Sequence, residues 1–298
     1  MEVLITGLNN YLARNIAIFL AEEDYKVTCL VRNRNLFYKH VPDNYGITVT
    51  EGDMFRGALH PEISRDTRVA FYFNQSPANE LDIRLEMERI ALQRYINSLQ
   101  DIACQHLIYV TKLVDDSVDL IDSYLHGSGL HYTIIRVSNI IGNGSILMNI
   151  LSKLAKKNII MVPKEFAENR CQPVHLLDVC AYLNHIMLDP RTYGESYDIG
   201  GPEIMTYREV FERYLQLAKL RKKIVPLPAL GLSLATLVSR YLYKFEQDVS
   251  SAFIANMRSD LLCKKNGLDV LFPVELTPFD DAINRALGAL ESGHPMGK

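Results

Sequence analysis

Cysteine is scarce in this chain, with five residues in 298, and no two of them form a Cys-x-x-Cys pair. A disulfide framework is therefore excluded, and the scattered Cys29, Cys104, Cys171, Cys180 and Cys263 read as small buried groups in a reducing, cytoplasmic setting. His-x-x-x-His and His-Glu-x-x-His spacings are missing, as is any Cys or Asp cluster, so no metal is expected. The Gly-x-Ser-x-Gly elbow of a hydrolase nucleophile is also missing. Net charge is only −3 and no long block of like charge occurs, which argues against binding to nucleic acid or to an anionic membrane. The short basic group Lys219 to Lys223 reads as a helix C-terminus, where cations favour the dipole. No apolar run is long enough to span a bilayer, since Leu227 to Leu237 stops short of it. Glu2 leads directly into the first apolar run, so no secretory leader is expected.

What is present begins at the first residues. Glu2 to Thr6 is a short β-branched, apolar run; Ile16, Ala17, Phe19 and Leu20 then recur at helical spacing before a second run at Val27 to Val31. This is a βαβ opening. The turn at its first strand end, Gly7, Asn9, Asn10, Tyr11 and Leu12, offers backbone N–H groups at the positive end of a helix dipole, where a pyrophosphate is stabilised. Asn10 is expected to keep the turn through its tolerance of left-handed backbone.

The alternation continues. Strands are predicted at Gly46 to Asp53, Val69 to Phe73, His106 to Thr111 and His131 to Val137, with a long helix from Ala78 to Gln100 and a short one over Asp119 to Leu125. Helix Ser145 to Lys157, strand Ile159 to Val162, helix Asp178 to Leu188 with Asp178 as N-cap, and strand Tyr197 to Pro202 follow. Thr206 and Glu209 spell a capping box that opens a helix to about Leu220. The fold class is therefore α/β: a Rossmann-like, doubly wound parallel sheet over 1–202, with a small, mostly helical C-terminal region over 203–298.

In order and spacing, Thr6-Gly7 with Arg14, Leu30-Val-Arg-Asn33, Glu51-Gly-Asp53, Ile108-Tyr-Val-Thr111, Arg136-Val-Ser-Asn139, Gln172-Pro-Val-His175 and Tyr197-Asp-Ile-Gly-Gly-Pro202 go together. With these motifs the chain resembles the atypical short-chain dehydrogenase/reductase superfamily, in its NmrA-like and complex-I-accessory-subunit-like branches, often labelled nucleoside-diphosphate-sugar epimerases. The family pattern Thr-Gly-x-x-Gly-x-x-Gly keeps only its first glycine here, with Asn10 and Ala13 in place of the other two. The resemblance implies that Asp53, with Met54, touches the adenine edge and that Asn74 and Gln75 line the cofactor. Arg32 and Arg34, with no carboxylate between Leu30 and Leu36, match a 2′-phosphate, so NADP(H) is favoured over NAD(H).

The family's Tyr-x-x-x-Lys proton relay occurs nowhere in the chain. Thr111 stands in the place of the substrate-orienting Ser/Thr, and the remaining catalytic candidates are Tyr124, four residues before Ser128, and Lys112. The stretch from Thr111 to His131 is too short for the usual active-site helix. Three functions follow from this: an NADP(H)-dependent oxidoreductase or isomerase of a small organic substrate with atypical catalytic groups; a non-catalytic dinucleotide-binding redox sensor or assembly protein; or a scaffold that has lost the cofactor. The C-terminal region is expected to define the substrate, although its Tyr241, Tyr243, Phe245, Phe253 and Phe272 read as core rather than pocket, and the apolar Leu227 to Leu242 helix is expected to offer a homodimer contact.

Overall fold

The structure is a computed structural model that describes residues 1–42, 44–53, 63–74, 81–115, 117–227, 257–265 and 267–292. Strand β1 (Glu2–Thr6), helix α1 (Tyr11–Glu22) and strand β2 (Lys26–Val31) form the opening unit. Helix α2 (Arg34–Tyr38), strands β3 (Thr48–Glu51) and β4 (Thr67–Phe73), helix α3 (Leu81–Asp101), strand β5 (His106–Lys112), helix α4 (Val118–His126) and strand β6 (Tyr132–Val137) follow. Then come β7 (Ile140–Ile141), α5 (Ile146–Ala155), β8 (Ile159–Pro163), α6 (Lys164–Glu168), β9 (Arg170–Cys171), β10 (Val174–His175), α7 (Leu176–His185) and β11 (Glu195–Ile199). The described chain ends with β12 (Met205–Thr206), α8 (Tyr207–Leu217), β13 (Lys223–Leu227), α9 (Leu268–Leu271) and α10 (Phe279–Ser292).

Seven strands form one sheet in the order β3-β2-β1-β4-β5-β6-β11. Neighbouring residues advance together, Val3 beside Val27 and Val69 beside His106, so the strands run parallel. At the far edge the Gly194 N–H donates to the Tyr132 carbonyl and the Ser138 N–H to that of Ile199. A parallel sheet covered by helices buries both faces of its strands, which is why Val3, Leu4 and Ile5 read as a continuous apolar run. One face packs against α3 and α4 through Leu92, Tyr95, Leu99, Ile121 and Leu125. Each such fully buried aliphatic contributes about 1.5–3 kcal/mol. Tyr72 and Tyr109 stack within this layer, 5.6 Å between ring centroids.

The chain falls into two compact units: 1–136 with 180–197 and 267–272, and 137–179 with 198–266 and 273–298. The second unit holds a two-stranded parallel ribbon, β8 with β13. β13 adds a strand to a C-terminal region whose other described elements, β12 aside, are the helices α8, α9 and α10: Lys223 opens it after α8 ends at Leu217, with Lys219 in left-handed backbone at φ 56°. The capping box at Thr206 and Glu209 is present. Asp178 is not an N-cap: α7 starts at Leu176, and the Asp178 carboxylate accepts from the N–H and hydroxyl of Thr277, both at 2.8 Å. In the same unit Gly201 lies so close to Pro173 that a Cβ would stand 1.9 Å from its carbonyl oxygen, and the Gln172 amide donates to the Gly201 carbonyl at 2.8 Å. The Gln-Pro-Val-His and Gly-Gly-Pro motifs are thus one packed structure. No disulfide joins the five cysteines; four are buried and Cys263 is partly exposed. Residues 228–242 of the expected apolar helix, with Tyr241, and beyond them Tyr243, Phe245 and Phe253, lie outside the described residues, while Phe272 is buried and stacks on His185.

Candidate functional site

The strand order reverses between β1 and β4, the switch point at which doubly wound sheets open a crevice at their carboxyl ends. A cavity of about 350 Å³ occupies that place. Thr6 to Asn9 and Arg14 line it from the first turn, Val31, Arg32, Asn33 and Phe37 from the β2–α2 side, Gly52 from the end of β3, and Tyr72, Phe73 and Glu88 from β4 and α3. Gly7 sits at φ 80°, and a Cβ there would stand 2.5 Å from the Phe73 carbonyl oxygen, so only glycine lets the turn cross β4 this closely.

Asn10 behaves differently from expectation. Its backbone is extended (φ −72°, ψ 137°), and its side-chain oxygen accepts the Leu12 N–H at 2.8 Å as the N-cap of α1. The Leu12 N–H, one of the amides left over at the start of α1, therefore already has an acceptor from within the chain. Arg14 folds back on the turn and donates to the carbonyls of Leu8 (3.0 Å) and Asn9 (2.9 Å); burial lowers its pKa. Tyr11 opens α1 half-buried; its hydroxyl is buried without a partner among the described residues, and desolvation pushes the phenol up.

At the β2 end the two expected arginines part company. Arg32 is exposed at the cavity rim, whereas Arg34 turns to β3, donating its side chain to the Val49 carbonyl and its backbone N–H to Glu51, both at 2.8 Å. Asn33 caps α2. Asp53 is half-buried and is not among the lining residues, although its neighbour Gly52 is. Met54 and Gln75 lie outside the described residues. Glu88 and His40 line the cavity and escaped the sequence reading. Glu88 was legible as a carboxylate on the apolar stripe of α3, spaced three and four residues from Leu85 and Leu92.

Thr111 ends β5 with its hydroxyl committed: it donates to Asp115 Oδ2 at 2.5 Å. Asn74 donates to the same oxygen at 3.1 Å, and the Ser117 N–H and hydroxyl go to the other. Lys112 follows with an exposed side chain; desolvation lowers its pKa and Asp115 opposes the shift. Tyr124 packs against the α3–α4 core cluster, and among the described residues no hydrogen bond joins it to Thr111. Its phenol is raised by burial. Among the described residues no hydrogen bond joins Thr111, Lys112 and Tyr124 to one another. Among the described residues no group of three or more His, Cys, Asp or Glu is placed to hold a metal, and no helix is long and apolar enough to cross a membrane.

This arrangement of strands and first turn has solved counterparts. The dTDP-glucose 4,6-dehydratase of Bacillus anthracis in complex with NAD is 15% identical, with a TM-score of 0.71 over 99% of this chain and 97% of that one. The chain has a Rossmann-like fold. The nucleoside-diphosphate-sugar epimerase of Staphylococcus aureus is similar at 16% identity and a TM-score of 0.67, covering 95% of this chain and all of that one. So is the triphenylmethane reductase of a Citrobacter species complexed with NADP(H), 12% identical with a TM-score of 0.67, covering 95% and 99%. Among curated proteins the photosystem II assembly factor Ycf39 of Trieres chinensis is 22% identical over 300 residues, 94% of this chain and 91% of that protein. No family model matches the chain.

Proposed function

We propose that the chain binds a dinucleotide, NADP(H) in preference to NAD(H), and acts as a nucleotide-dependent assembly or regulatory protein rather than as a Tyr–Lys dehydrogenase. The observation that carries the binding is the cavity at the carboxyl ends of β1 to β4 with Arg32 at its rim and Gly7 holding its floor open. The residues fit such a group: the N–H groups of the turn, which Arg14 holds by its carbonyls, would meet a pyrophosphate, and Arg32 would meet a ribose phosphate. The non-catalytic half of the reading is supported by Thr111, whose hydroxyl is spent on Asp115, and by the full-length likeness to a protein named as an assembly factor.

A second reading, an atypical oxidoreductase or isomerase, is favoured by the likeness to a reductase complexed with NADP(H) and by Lys112 at the end of β5, whose pKa is lowered by desolvation. A bound nicotinamide would supply hydride transfer, and Lys112 would hold the proton that accompanies it.

Calorimetric titration with NADPH and NADH, after stripping any co-purified nucleotide, tests the first reading. Tighter NADPH binding is expected, and Arg32→Ala should weaken NADPH by about tenfold to a hundredfold, the worth of a charge-assisted hydrogen bond, while NADH changes by less than about threefold. Equal loss for both, or binding of neither, rejects it. Turnover of NADPH with a panel of carbonyl compounds and quinones, lost in Lys112→Met, would establish the second.

A further inference from the structure

The cavity is built on one side of the crevice. The first turn, β2, α2, the end of β3, β4 and α3 line it, and no residue of β5, which is described throughout, does so. A dinucleotide lies across the point where the strand order reverses, with its adenosine ribose at the end of β2 and its second nucleoside on the far side of that point. The cavity is therefore the adenosine side alone. At about 350 Å³ it stands near the lower end of the range of about 300–1,000 Å³ for small-molecule sites. Leu36 and Phe37 supply apolar lining for a base, and Arg32 a cation for a ribose phosphate.

At the carboxyl ends of β4 and β5, where the second nucleoside would lie, polar groups are bonded to one another. The Thr111 hydroxyl gives its one proton to Asp115 Oδ2 (2.5 Å), the Asn74 amide donates to the same oxygen (3.1 Å), and the Ser117 N–H (3.0 Å) and hydroxyl (2.5 Å) donate to Oδ1. Four donors thus meet a carboxylate that accepts at about four sites. Turning Thr111 or Asn74 to a carboxamide would break hydrogen bonds already made, so that end returns little affinity. Resting on the dinucleotide reading above, we propose that the chain recognises the adenosine 2′,5′-bisphosphate half of its ligand and draws no measurable affinity from the nicotinamide half. Binding is then indifferent to the redox state of the ring, and the class of ligand widens to 2′-phosphorylated adenine nucleotides that carry no nicotinamide.

The test is calorimetric titration of the full chain, stripped of nucleotide, with NADPH, NADP⁺, adenosine 2′,5′-bisphosphate and reduced nicotinamide mononucleotide. The bisphosphate should bind within about tenfold of NADPH, and NADP⁺ within about threefold of NADPH, while the mononucleotide should give no measurable heat of binding. Arg32→Ala should weaken NADPH and the bisphosphate by the same factor, because the contact it removes belongs to both. A bisphosphate more than about tenfold weaker than NADPH, a preference above about threefold between the two redox forms, binding of the mononucleotide, or a loss in Arg32→Ala confined to NADPH overturns the inference and leaves dinucleotide binding standing. Binding of none of the four compounds overturns both.

Discussion

Asn10 holds for itself the backbone amide that a phosphate would take in a glycine-rich turn. Replacing it with glycine removes the cap at a cost of only a few tenths of a kcal/mol, because glycine is a tolerable N-cap, and exposes the Leu12 N–H. We therefore expect Asn10→Gly to lower the melting temperature little while raising NADPH affinity severalfold by calorimetry. An unchanged affinity would mean that the phosphates do not reach the start of α1. The residue also explains a misreading. Asparagine is favoured both in left-handed backbone and at N-caps, and nothing local in Leu8-Asn-Asn-Tyr11 decides between the two. Gly7 was legible because only glycine satisfies both its φ of 80° and the approach of Phe73. Arg34 was not, because two arginines separated by one residue look alike until one of them meets the Val49 carbonyl.

Among the elements, the turn after β11 leaves no room for a side chain at Gly201. Gly201→Ala would drive a methyl into the Pro173 carbonyl, backbone against backbone, and should destabilise the chain by about 3 kcal/mol or more, measured as a fall in the urea midpoint. Gly288→Ala is the contrasting case. It is exposed in α10 with open space around it, and it should stabilise by about 0.5–1 kcal/mol through helix propensity. The parallel sheet was readable because its strands are continuous apolar runs between helices of clear period. Strand β13 was hidden: Lys-Ile-Val-Pro-Leu follows a basic run, carries a proline, and is too short to show a period. The start of α7 was misjudged because Asp178 has the chemistry of a cap, while the helix begins two residues earlier and uses that carboxylate for Thr277.

At the scale of the whole molecule, acid sensitivity follows from one buried imidazole. His106 accepts the Leu188 N–H at Nδ1 (3.1 Å) and meets the Thr133 hydroxyl at Nε2 (2.9 Å), and burial, with His131 adding to it, pushes its pKa down to about 3. Protonating Nδ1 would break the bond that holds Leu188 in left-handed backbone at φ 59°. The folded value lies below the unfolded one, so the unfolded chain takes up a proton that the folded chain refuses. The stabilisation is full above about pH 6.5 and is lost as pH falls through that window towards 3. Urea midpoints at pH 8 and pH 5 should differ by about 2 kcal/mol of stability, lower at pH 5; a flat profile would mean that water reaches the ring. The sulfur atoms give the molecule another property. With four thiols sealed inside and Cys263 alone partly at the surface, an alkylating reagent meets one nucleophile per native chain, so a fluorophore or spin label can be attached at a single defined point without engineering the sequence.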